Sequence, residues 1–129
     1  MDPRTREQLL PWALRLAGAI CLFGLYPLTL FWPSGWAWHT TGSSEYMQMI
    51  IGIYAVLGIF LLLAAQSPRA HLSLVSFAIW SSIVHGGIMA VQALGNPVHV
   101  HHLYGDVAAL VLLAAMLGFL CPAALRPPR

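Results

Sequence analysis

Four nearly unbroken apolar stretches run along the chain, at Ala13 to Trp32, Tyr46 to Ala65, Leu72 to Leu94 and Leu103 to Cys121, with short polar or glycine- and proline-containing segments between them. Each holds about 20 residues, enough for a helix rising about 1.5 Å per residue to cross a hydrocarbon layer about 30 Å thick. The pattern predicts an all-α fold, an integral membrane four-helix bundle. It forms one domain over residues 1–129, with helices at 13–32, 46–65, 72–94 and 103–121. The first stretch follows Arg4 and Arg6 as a secretory signal would. Arg15 interrupts it, however, bulky Leu28 to Trp32 close it, and no small-x-small cleavage site follows, so it reads as an uncleaved helix.

Local signals refine these elements. Pro27 lacks a backbone donor and crowds the preceding turn, which predicts a kink in the outer third of the first helix. Phe31, Trp32, Trp36 and Trp38 read as an aromatic belt at headgroup level. Ser43 or Ser44 is placed to cap the second helix, with Glu45 in its first turn opposing the positive dipole end. On that helix Gly52, Ala55 and Ile59 form a stripe of close approach, with Gly58 on a neighbouring one. The short turn Gln66 to Ala70 predicts that helices two and three are antiparallel neighbours.

Composition agrees, since 59% hydrophobic and only 8% charged residues exclude an ordinary soluble domain. Charge then orients the bundle. Arg4, Arg6, Arg15, Arg69, Arg126 and Arg129 all fall before or at the start of helix one, between helices two and three, or after helix four, so both termini are expected to be cytoplasmic. A formal net charge of +2 without a single lysine gives no basis for nucleic-acid binding. Cys21 and Cys121 lie in opposite halves of the chain and read as membrane-buried thiols, not as a disulfide.

The candidate chemistry gathers toward the opposite, outward end. Ionisable side chains inside a membrane are costly and face the bundle interior or a wet cavity. Here these are Glu45, His85, His102 and Asp106. Helical spacing puts His102 with Asp106 on one face, Ser81, His85, Met89 and Gln92 on another, and Glu45, Met49 and Gly52 on a third. Counted from the outer helix ends, Asp106, Met49 and Met89 lie roughly 5 to 8 Å deep and His85 about 13 Å deep. Glu45, His102 and Asp106 are therefore candidate metal ligands, of a kind that suits zinc or iron, with methionine sulfur adding copper(I). His85 and Met89 are candidate cofactor-binding residues for a transition metal ion, a haem or a quinone headgroup. The structural alternatives are a His85 that glues helices through Ser81, Ser82 or a neighbouring helix, and an Asp106 that answers the helix dipole. His39, His71, His99 and His101 read as loop or interfacial residues. There is no strong zinc motif, phosphate loop, dinucleotide fingerprint or nucleophile elbow.

The segment from Glu45 through Ile51-Gly52-Ile53-Tyr54, Gly58 and the run to Pro68, then Trp80-Ser81-Ser82, His85 and later Gly105-Asp106, resembles uncharacterised small bacterial four-helix membrane proteins of unknown function, similar in layout to DoxX-like proteins. The resemblance covers about three quarters of the chain and implies a multi-pass protein of the bacterial inner membrane, with no activity to carry over. DoxX-like proteins associate with redox systems, yet no cysteine pair suited to thiol chemistry occurs here. Two functions are thus expected. One is an accessory or assembly subunit of a larger membrane complex, partnered by the bilayer and by other subunits or copies of itself. The other is a protein binding a metal, haem or quinone in an outward cavity, and an enzyme acting on a lipid or small molecule ranks below both. Polar side chains that converge favour a site; polar side chains each satisfied by a separate backbone carbonyl favour a scaffold.

Overall fold

The computed structural model describes residues 1–38 and 44–125, the last without its side chain. Its elements are α1 (Pro3–Ala19), a π-helical turn (Ile20–Gly24), α2 (Leu25–Phe31), α3 (Pro33–Trp36), α4 (Glu45–Ala64), α5 (Leu72–Gly95) and α6 (Asp106–Leu120). Short 3-10 turns precede α5 (Pro68–His71) and α6 (Pro97–Leu103) and follow α6 (Pro122–Leu125). All described regular structure is helical, and four helical spans are long and apolar enough to cross a membrane: Pro3–Phe31, Glu45–Ala64, Pro68–Gly95 and Pro97–Leu120. In each, no more than 33% of the most apolar window is buried within the protein. The remaining apolar surface, including Phe23, Ile53, Phe77, Val91 and Leu112, is exposed all round the bundle and calls for lipid as its solvent. The protein is a multi-pass membrane bundle.

The first span begins ten residues earlier than the apolar run, because Pro3 at the first helical position starts a polar turn and a half before hydrocarbon depth is reached. Its irregularity also falls one turn earlier than Pro27. Pro27 cannot donate to the carbonyl of Phe23 and its ring crowds that turn, and the chain widens into the π-helical Ile20–Gly24 segment to accommodate it. At the start of α4 the cap is Ser44, whose Oγ accepts from the Met47 N–H at 3.3 Å.

The short turn expected to make α4 and α5 antiparallel neighbours does not make them the main packing pair. α1 packs chiefly on α4 and α5 chiefly on α6, while α4 and α5 touch only sparsely despite their short connection. The reason lies in the glycines. A Cβ on Gly18 would stand 2.8 Å from the Gly58 carbonyl oxygen, and one on Gly58 would stand 2.7 Å from the Gly18 carbonyl oxygen, so α1 and α4 meet backbone to backbone. Gly52, assigned from the sequence to the stripe of close approach, has no atom within 4 Å of that position, and Ile59 is exposed. Gly58 and not the Gly52 stripe is the packing surface. Below this crossing, Leu14, Leu61, Val75, Ile79 and Leu117 from all four spans form a close-packed core with Cys121, and Cys21 joins it from the cavity side; both cysteines are free and buried.

The arginine-bearing ends meet at one pole. Arg69 pairs with Glu7, and the Arg6 guanidinium lies 4.5 Å from the centre of the Phe119 ring. The first span, the α4–α5 turn and the end of α6 therefore share that pole. Arg126 and Arg129 lie outside the described residues.

Candidate functional site

At the other pole the core opens. A cavity of about 570 Å³ lies among all four spans, walled by Ala17, Cys21 and Leu25 of the first, Met47, Ile51 and Tyr54 of α4, His85 and Met89 of α5, and Asp106, Ala109 and Leu113 of α6. Trp36 and Trp38 complete it from above. α4 and α5 stay apart here, and Tyr46, Ile50 and Gln92 stand exposed along the cavity edge between them. The walls are apolar with a few placed polar groups, the character of sites for small ligands.

Two polar assemblies reach this cavity. In the upper one, Asp106 opens α6 and is 8% exposed. Its Oδ1 accepts from the Val107 N–H at 2.9 Å, and its Oδ2 accepts from Trp38 Nε1 at 2.9 Å and from His102 Nδ1 at 3.0 Å. His102, in the 3-10 turn and not on α6 itself, is buried, and its ring stacks on Trp38 with centroids 4.1 Å apart. His99 stacks on the same indole at 4.8 Å. A cost of burying a carboxylate is thus offset by three hydrogen bonds and the dipole of α6. The approach of α3 is made by glycine: a Cβ on Gly105 would collide with the carbonyl of Gly35, so the backbone entering α6 and that of α3 touch directly.

The deeper assembly joins α4 to α5. Tyr54 Oη and His85 Nδ1 lie 2.7 Å apart, their rings tilted at 37°. His85 thus bonds to a neighbouring helix, whereas Ser81 turns to its own helix backbone at Ala78. Among the described residues the two assemblies share no hydrogen bond.

Several expectations need correction. Glu45 is exposed on the first turn of α4 and joins neither assembly. Among the described residues no three His, Cys, Asp or Glu side chains are placed together to hold a metal ion, and Glu45 is not grouped with His102 and Asp106. Asp106 and His102 are instead turned toward each other and Trp38, with Asp106 Oδ2 engaged by both. Met49 is 55% exposed, and Met47, two residues away on the opposite face, lines the cavity in its place. His99 is a half-buried stacking partner and not a free loop residue, whereas His71 and His101 are exposed as expected. His39 lies outside the described residues.

Trp38 and Tyr54 escaped the sequence reading. Trp38 looked like one more belt aromatic, but a buried Asp106 requires donors and an indole N–H is one. Tyr54 follows Met47 by seven residues and so lies on the same helical face, a signal present in the sequence but masked by the apolar run around it.

A four-span membrane bundle with an apolar, polar-tipped cavity at one pole is the class of protein that these features define. The chain belongs to the DUF6632 family, a family of unknown function whose model matches residues 4–128. No curated protein and no solved structure matches it.

Proposed function

We propose that the protein binds a small, largely apolar molecule drawn from the bilayer, held in the cavity between the four spans. The observation that carries this reading is the convergence of Tyr54–His85 and Trp38–Asp106–His102, two assemblies from separate parts of the chain, on one apolar space. An interhelical bond by itself would also serve a scaffold; the opening of both assemblies onto one apolar space is what a scaffold does not require. The expectation of an accessory subunit rested on the lack of a catalytic motif, which suits a binding protein equally well. With the arginine pole toward the cytoplasm, the positive-inside rule puts both termini inside and the cavity on the outward side of a bacterial inner membrane.

The test is to purify the protein in mild detergent, extract it with organic solvent and identify small molecules by mass spectrometry, beside Ala109→Phe, which fills the cavity. A near-stoichiometric molecule retained by the parent and lost in the folded variant is expected. Equal amounts in both, or none in either, would overturn the reading.

A further inference from the structure

Counting protons on the deeper assembly narrows the ligand. A neutral tyrosine and a neutral histidine together carry one O–H and one ring N–H. One of these protons lies in the 2.7 Å bond between Tyr54 Oη and His85 Nδ1. The other sits on His85 Nε2 if tyrosine donates, or on Tyr54 Oη if histidine donates. Among the described residues neither side chain has a hydrogen-bond partner besides the other. Whichever tautomer is present, the pair holds one spare donor at the wall of an apolar cavity. Trp36, at the same wall, has a buried Nε1 that likewise meets no acceptor among the described residues.

The opposite kind of group is accounted for. Asp106, the one carboxylate of the wall, has both oxygens engaged by donors. Among the described residues no arginine lines the cavity, so an anionic headgroup would find no permanent counter-charge, and a cation would find only a carboxylate already satisfied. The complementary molecule is therefore neutral and brings an acceptor. Tyr54, Trp36 and Trp38 supply flat aromatic surface, which suits a planar ring better than a flexible chain. The gap between α4 and α5 leaves a way out for an apolar tail.

We infer that the ligand is a neutral, planar, carbonyl-bearing ring of the quinone class, whose carbonyl oxygen accepts a hydrogen bond from the spare donor of the Tyr54–His85 pair. This rests on the reading of the cavity as a ligand site, and it deepens that reading.

Duroquinone and durene separate the two claims, because both are tetramethylated six-membered rings and only the first carries carbonyl oxygens. Each is titrated calorimetrically into the detergent-solubilised full chain, with empty micelles as reference, and into the Tyr54→Phe/His85→Leu double variant, whose helicity is checked by circular dichroism. Duroquinone is expected to bind the parent about three- to tenfold more tightly than durene, the advantage of one neutral hydrogen bond. That advantage should vanish in the folded double variant while durene binding persists. Equal affinities in the parent would overturn the carbonyl assignment yet leave the cavity a ligand site, and this comparison stands even if the variant does not fold. A preference that survives in a folded variant would overturn the role of the pair. Binding of neither compound would overturn the cavity reading itself.

Discussion

Trp38 donates its indole N–H to Asp106 across 2.9 Å, although 68 residues separate them in the chain. The bond ties the segment after α3 to the first turn of α6 and roofs the cavity. It holds because Gly35 and Gly105 let the two backbones touch, and because His102 bonds to the same carboxylate oxygen.

Replacing Trp38 by phenylalanine keeps a flat ring against His102 and removes the donor. A hydrogen bond to a charged group contributes about 1.5–3 kcal/mol, so Trp38→Phe should lower stability by about that amount in a denaturation series in mixed micelles. Unchanged stability would show that the roof is held by stacking alone.

Asp106→Ala is expected to cost more, about 3 kcal/mol or above, since it strands the Trp38 and His102 donors and the Val107 N–H at once. If it costs no more than Trp38→Phe, the three bonds do not act as a unit.

The helix crossing gives a paired test. Gly18→Ala and Gly58→Ala each place a methyl group against backbone and should destabilise by about 1–3 kcal/mol. Gly52→Ala and Gly87→Ala meet open space and should be neutral or stabilising by up to about 1 kcal/mol, the helix preference of alanine over glycine. The four variants are compared in one unfolding series, and a reversed order would contradict the α1–α4 contact.

Burial raises the Cys121 thiol above its ordinary value, with a hydrogen bond at Ala124 working weakly the other way. A raised value means less thiolate at any given pH, and the side chain is also 5% exposed. Maleimide at pH 7.5 should therefore label Cys121 slowly in the folded protein and rapidly once it is denatured. Fast labelling before denaturation would place Cys121 outside the core.

Much of the site was visible in the chain before any contact was known. Helical spacing put His85 and Met89 on one face, and both do line the cavity. The four-residue step from His102 to Asp106 also brought them together, though through a 3-10 turn leading into α6 and not along one helix. Glu45 misled because its position at a helix start is explained by the dipole alone, with no need of a partner. Trp38 was hidden by a competing explanation, since an interfacial belt accounts for any tryptophan near a helix end.

What the sequence determined by itself is the set of segments that leave water: four spans, their alternating direction, the arginine pole, a serine cap at Ser43 or Ser44 and the placement of ionisable residues at the far pole. These follow from composition and periodicity, which act locally along the chain. The tertiary structure alone decided which helices pair, that Gly58 and not Gly52 is the contact, that Tyr54 meets His85, and that Trp38 turns inward to Asp106. In lipid an apolar face gains little by choosing one neighbour over another. The choice falls to close backbone approach and to polar groups that must find partners, and both are relations between residues far apart in sequence.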